Sequence, residues 1–411
     1  MVEKKDYKGV TTPVGCKIMA IECKLLKTSL NFDMSGMVQP CNQLLGYYLQ
    51  DDDKRHYNVL TDDPKEMWKS KHRKQLLDDH ANDVRNPACQ QCWDCEDANI
   101  ESTRQKFNKE LQDVEILEDQ PRVMIVKPGN LCNNACRSCN AHTSSMWYKT
   151  DYALDNQGKT FKEYLKFYDR HKTAYTNNEM LEKRWAEWED NIIFWDMYGG
   201  EPMIIPLFWK TLERAVASDT VKEKMFNVHT NGMVYKDDLV DKMSKFKSAH
   251  IGFSIDAIGK KNEYIRAGSK WENILDNLKR YMNDCKRYDN VRLDVRATIT
   301  PWNIFYYEEN YDYFKKLGLE AYGVWCDDTP WNDVRYLPNK IKDAVIHKLS
   351  LYKNTEPLWD KKFKDLKKWL RTTPPDHEKL QNSFMDFNNK IDKIRKEKFT
   401  STFPEYSKLF V

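Results

Sequence analysis

From Arg122 to Cys326, short apolar strands alternate with longer amphipathic stretches, and this alternation limits the available folds more than any other feature. RVMIVKP leads to a helix expected near Thr160 to Glu189. NIIFWDMYG leads to one from Pro206 to Ala217, and MFNVHTNG to one around Asp237 to Lys247. HIGFSIDA is followed by a helix over Trp271 to Arg287, VRLDVRATIT by one over Tyr306 to Leu317, and EAYGVWC comes last. Six strands interleaved with five helices predict an α/β fold whose parallel strands are joined by right-handed crossovers. Six such units can close into a partial (β/α)6 barrel. In folds of this kind chemistry sits at the C-terminal ends of the strands.

Cysteine placement carries the next constraint. Nine of the 11 cysteines (16, 23, 41, 89, 92, 95, 132, 136 and 139) lie before residue 140, and only Cys285 and Cys326 follow. The first residues, MVEKKDYKGV, lack the apolar core of a secretory signal, and no apolar run approaches the ~20 residues that span a bilayer. A cytoplasmic protein is therefore expected. In a reducing compartment, clustered thiols hold metal or do redox chemistry more often than they form disulfides. A polar helix expected over Asn99 to Asp119 separates the two thiol groups. It divides the chain into residues 1–119, 120–330 and 331–411. The net charge of +3 is nearly balanced and does not argue for a nucleic-acid coat or a membrane scaffold; a nucleic-acid partner is possible but not favoured.

KPGNLCNNACRSCNAHTSSMW directly follows the first strand of the alternating region and sets Cys132, Cys136 and Cys139 in a C-x3-C-x2-C pattern. Soft thiolates select zinc or iron–sulfur. Three ligands leave one metal position open, as catalytic sites do. A zinc knuckle completed by a distant residue is the blander alternative. The loop resembles the signature of the radical S-adenosylmethionine (radical SAM) superfamily. That resemblance implies a [4Fe–4S] cluster on Cys132, Cys136 and Cys139, with SAM chelating the open iron. Ser138 stands where the family usually has an aromatic or large apolar residue. MYGGEP after the second strand resembles the family's GGE motif, which implies that Gly199, Gly200 and Glu201 receive the methionine amino group. Paired glycines let backbone approach a ligand closely, and Glu201 is expected to offer an acceptor to an ammonium. HTNG closes the third strand. SIDAIGKKNEYIRAG after the fourth resembles the segment whose serine and arginine contact the SAM ribose and carboxylate. Ser254 and Arg266 hold those positions, and Asp256 is expected to shape the loop or touch ribose. A guanidinium suits a carboxylate because its donors are planar and paired.

The N-terminal thiols resemble the twitch module, the shortened SPASD domain of radical SAM enzymes, here placed before the barrel instead of after it. Gly36 stands five residues before Cys41, and NPACQQCWDCE supplies Cys89, Cys92 and Cys95. The resemblance implies an auxiliary [4Fe–4S] cluster on Cys23, Cys41, Cys89 and Cys92, with Cys95 as an alternate and Cys16 as a further candidate. A four-thiolate zinc ribbon is the competing reading. Cys285 and Cys326 read as ordinary half-buried thiols.

After Trp331 the chain reads as a helical, basic extension with 18 Lys/Arg against 11 Asp/Glu. Its Lys-rich helices are expected to turn a solvated face outward. The resemblance implies an enzyme that reductively cleaves SAM to a 5′-deoxyadenosyl radical and abstracts hydrogen from a peptide or small-molecule substrate. The auxiliary cluster would assist electron transfer, and a flavodoxin or ferredoxin would be the reductant. Trp195, Trp302, Trp325 and Trp331 lie near strand ends and could stack a flat substrate, although core packing is their commoner role. Three other functions remain open: modification of RNA or a nucleobase, a non-catalytic zinc-binding protein, and a relative that binds SAM without cleaving it.

Overall fold

The computed structural model describes residues 21–44, 46–155, 158–173, 188–352 and 357–410. Its strands are β1 Ser29–Phe32, β2 Val38–Gln39, β3 Val123–Val126, β4 Ala135–Cys136, β5 Phe194–Met197, β6 Met225–Thr230, β7 Ser248–Ser254, β8 Arg266–Ala267, β9 Val291–Ile299 and β10 Ala321–Trp325. Eight of them form one sheet in the order β10-β9-β7-β6-β5-β3-β1-β2. Every neighbouring pair is parallel except β1–β2. β4 and β8 form a separate antiparallel ladder.

The six strands expected from the alternation are β3, β5, β6, β7, β9 and β10. β3 and β5 are buried along their whole length, as strands covered on both faces must be. β6 alternates between half-buried and buried residues. Its Phe226, Val228 and Thr230 lie on one face, and Asn227 and His229 on the other. The helix Pro206–Ala217 opens on a proline, where the missing N–H costs nothing. The helices near 237 and 99 are shorter than expected, at Leu239–Met243 and Thr103–Glu110. A reciprocal Ser102–Gln105 capping box starts the latter. The expected helix from Thr160 is helical over Phe161–Thr173, and its continuation through 187 lies outside the described residues.

The sheet also runs across the boundary expected near Asp119. β1 pairs with β3 over Ser29↔Val123 to Phe32↔Val126, and Leu30 and Phe32 share a buried core with Met124, Val126 and Trp195. A turn at Gly36, with φ +83°, joins β1 to β2. A Cβ there would lie 2.5 Å from Asn58 Oδ1, so the turn requires glycine. After β10 come the helices Asn339–Leu351, Pro357–Arg371 and Ser383–Arg395. Among the described residues no helix is long and apolar enough to cross a membrane.

Phe32→Ala removes a wholly buried ring from β1 and is expected to cost about 3–5 kcal/mol. Because β1 shares sheet and core with β3, urea unfolding followed by tryptophan fluorescence and far-UV dichroism should show one shifted transition. Two separate transitions would contradict the shared core.

Candidate functional site

The loop after β3 places its three thiols through contacts made outside the loop. Cys136 lies on β4 opposite Arg266 of β8, and Arg137 N–H donates to Ile265 O at 2.7 Å. Arg266 directs Nη1 at Cys136 Sγ at 3.7 Å. Asn134 N–H donates to Cys132 Sγ at 3.4 Å, and Asn231 Nδ2 lies 4.0 Å from the same sulfur. Burial pushes the Cys132 thiol up to about 12. The neighbouring Cys136 and Cys139 thiols influence each other, the first being raised and the second lowered. Between these thiols the Asn134 side chain is wholly buried, and neither of its polar atoms has a hydrogen-bond partner among the described residues. An orphaned amide of this kind costs about 1–3 kcal/mol unless a ligand satisfies it.

The glycine pair packs against this loop. Gly199 and Gly200 have φ of +93° and +56°. A Cβ on Gly200 would lie 2.6 Å from Leu131 O and 2.7 Å from Gly129 O, so only glycine lets β5 turn here. Glu201 is fully buried, and its backbone N–H donates to Leu131 O at 2.8 Å. Its carboxylate accepts from Thr230 Oγ1 and Asn231 N–H, both at 2.7 Å, and from Met203 N–H at 3.1 Å. Burial raises its pKa against these donors. Glu201 therefore braces β5 to the HTNG turn and is not an open acceptor. Arg266 and Asp256 form a buried ion pair at 2.7 Å, and Asp256 Oδ1 accepts from Thr298 N–H at 2.8 Å. Asp256 thus shapes the loop, and Arg266 is shared between that carboxylate and Cys136. Ser254 ends β7, half-buried.

A second group of thiols surrounds one cavity. It is lined by Cys23, Cys41, Cys89 and Cys92, with three leucines, Gln43, His80 and Arg104. Burial pushes Cys23 and Cys89 up to about 12 and raises Cys41 and Cys92. Cys23 caps the helix Lys24–Thr28, accepting from Leu26 N–H at 3.4 Å. His80 Nε2 lies 3.6 Å from Cys89 Sγ, and Arg104 is held in place by Glu96 at 2.6 Å. Cys95 does not line this cavity. Its charged surroundings include Asp94, Asp327 and Arg335. Cys16 lies outside the described residues. Among the described residues no three His, Cys, Asp or Glu side chains converge tightly enough to hold a single metal ion.

Two features carried little sequence signal. Arg137 occupies an unspecified position of the cysteine pattern, yet its side chain is fully buried. His229, from HTNG, and His250 share one face of the sheet with ring centroids 5.7 Å apart. A Cβ on Gly252 would fall 2.6 Å from His229 Nδ1 and 3.1 Å from His250 Cε1, so this strand glycine makes room for both rings. His229 Nε2 lies 3.3 Å from Asp196 Oδ1, within ion-pair reach but not aligned as a hydrogen bond. His250 Nε2 lies 2.9 Å from Asp294, which Arg296 also holds. Burial works to raise Asp294, but hydrogen bonds from His250 and Arg296 outweigh it and bring the carboxyl to about 2. Trp195 and Trp302 are core residues, and Trp325 and Trp331 pack partly buried against the core.

Residues 126–290 match the family model described as the radical SAM superfamily. The match supports a radical SAM domain over those residues, and with it an enzyme. No curated protein sequence matches it. Among solved structures it is similar to native anSMEcpe with bound AdoMet, at 18% identity and a TM-score of 0.40, over 62% of this chain and 64% of that one. It is also similar to Streptococcus suis SuiB bound to precursor peptide SuiA, at 14% identity and a TM-score of 0.37, over 61% and 52% of the respective chains. TYW1 with a lysine–pyruvate adduct bound gives 16% identity and a TM-score of 0.30, over 51% and 66%. The match thus spans less than two thirds of the length of the first two, and no residue role or substrate is carried over from any of the three.

Asp327, at the exit of β10, tests the electrostatics near the thiols. Burial raises its carboxyl from 3.8 to about 6, with Arg335 opposing the shift. Its contribution to stability is full below about 3.8 and is lost as pH rises through about 6. Asp327→Asn imitates the protonated form and should stabilise the protein at pH 7.5 but hardly at pH 4. Urea midpoints at the two pH values check this.

Proposed function

We propose that this protein is a radical SAM enzyme with two iron–sulfur sites, acting on a peptide or small-molecule substrate. The supporting observation is the Cys132–Cys136–Cys139 loop, which carries the orphaned Asn134 amide and packs its Leu131 and Gly129 carbonyls against the Gly199–Gly200 turn. Soft thiolates fit an iron–sulfur cluster, and three of them leave one iron for SAM. Cys132, Cys136 and Cys139 would hold such a cluster, which would supply the electron for reductive cleavage of SAM and so for radical abstraction of a substrate hydrogen.

The chain's own residues do the rest. The glycine turn lets backbone come close to the SAM amino group. Glu201 holds that turn to Thr230 and Asn231 through its three hydrogen bonds. The Arg266 guanidinium, neutralised on one side by Asp256, keeps positive charge beside Cys136 and favours its thiolate. Ser254 at the end of β7 is the group assigned to the SAM ribose. Cys23, Cys41, Cys89 and Cys92 line one cavity. Four thiolates suit a four-iron cluster, and a four-thiolate zinc site is the competing reading. Four cysteines would close that cluster to substrate and leave it an electron-transfer role. A small electron-transfer protein such as a flavodoxin or ferredoxin would be the reductant.

Anaerobic reconstitution should give brown protein with about eight irons, four for each cysteine-held cluster, and 5′-deoxyadenosine from SAM with dithionite. Colourless, zinc-bearing protein would overturn the reading. Cys136→Ala should lose about four irons and all SAM cleavage, whereas Cys41→Ala should lose the other cluster and keep SAM cleavage. Gly200→Ala should abolish SAM binding by equilibrium dialysis while leaving the N-terminal irons in place.

A further inference from the structure

Arg137 lies between the second and third cysteines of the loop, and its side chain is 0% exposed. Its Nε donates to Tyr264 O at 3.2 Å, and its Nη1 to Asn388 Oδ1 at 3.0 Å. Nη2 reaches both Asp392 Oδ1 and Glu397 Oε2 at 2.6 Å. The guanidinium also lies 3.7 Å from the centre of the Tyr264 ring. The socket is built independently of Arg137. Tyr264 OH donates to Asp392 Oδ1 at 2.7 Å, Trp302 Nε1 to Asn388 Oδ1 at 2.7 Å, and Phe399 N–H to Asp392 Oδ2 at 2.7 Å. Three of its members, Asn388, Asp392 and Glu397, come from the C-terminal segment about 250 residues further along the chain.

The neighbours of Arg137 are held in the same way. Trp147 Nε1 donates to Cys136 O at 2.7 Å, and Trp147 stacks on Phe387 and lies under Arg395. Asn332 Nδ2 donates to Ser138 O at 3.4 Å. The Cys136 carbonyl, the Arg137 side chain and the Ser138 carbonyl are therefore all fixed, two of them with help from the helix Ser383–Arg395. A buried ion cluster of this kind adds little net stability over apolar packing. What it does supply is direction, because a planar fork with several partners has one seat.

We propose that the segment from Ser383 to Glu397 is part of the catalytic centre. Arg137 is the positioning residue through which it sets the spacing of Cys136 and Cys139, and hence both cluster retention and SAM contact. The inference rests on the radical SAM reading above. Partners that orient metal ligands typically cost about 10–100-fold in affinity or activity when removed.

The test uses the full chain, reconstituted anaerobically, with Asp392→Asn combined with Glu397→Gln, and separately Arg137→Lys. Iron release to a chelator and the change in the reduced protein's electron paramagnetic resonance on adding SAM are the readouts. The double variant should release the Cys132–Cys139 iron about 10–100-fold faster and lose the SAM-induced spectral change. The irons in the N-terminal cavity should stay, as an internal control for folding. Unchanged release with an unchanged SAM response would overturn the proposal. So would loss of both sites together with the far-UV dichroism, which would mark a general folding role. A full SAM response in Arg137→Lys would show that charge alone suffices and would overturn the positioning role. An unaltered chain that takes up no iron at all would instead sink the radical SAM reading, and this inference with it.

Discussion

The antiparallel ladder between Ala135–Cys136 and Arg266–Ala267 is the contact on which the thiol loop depends. A loop rich in asparagine and serine has no apolar stripe of its own with which to choose a conformation. Pairing it to β8, which follows the helix Lys260–Ile265, gives it a register. The same pairing sets Arg266 beside Cys136, and Asp256 then fixes the arginine from the end of the sheet. Order thus passes from the parallel strands, through one buried ion pair, to a sulfur atom. Cys136 lies 130 residues before Arg266 in sequence, yet the sulfur, the arginine and Asp256 act as one unit.

Much of this was legible in the sequence because it rests on local pattern. Alternating apolar runs marked the six strands, since a strand covered on both faces has to be apolar along its length. Gly36 and Gly199–Gly200 stood out because glycine is scarce here, at 14 residues, and each occupies a backbone conformation that other residues avoid. The cysteine spacings placed seven thiols in two groups, and four of them, Cys23, Cys41, Cys89 and Cys92, line one cavity.

What was not legible depends on long-range contact. No local signal distinguishes Arg137 from any surface arginine, because its partners lie in segments far along the chain. Glu201 looked like an open acceptor from its motif, but Thr230, Asn231 and Met203 use up its oxygens. The His229–His250 pair was hidden for a related reason. It depends on register between β6 and β7, and the sign of it is a missing side chain at Gly252. The basic C-terminal stretch turns Lys361, Lys364, Lys393 and Lys396 outward as its pattern implied, but nothing local marked Asp392 and Glu397 as the residues that turn inward.

The pairing of β1 with β3 has a practical consequence. β3 carries Val123, Met124, Ile125 and Val126, all buried. Cutting the chain at 120 would strip its neighbour away and leave a flat, uncharged strand with free amide and carbonyl groups along one side. Such an edge recruits other chains. A fragment trimmed to residues 120 onward would tend to aggregate even with the thiol loop and the Gly199–Gly200 turn intact. The N-terminal region thus protects the sheet from self-association, whatever its cysteines hold.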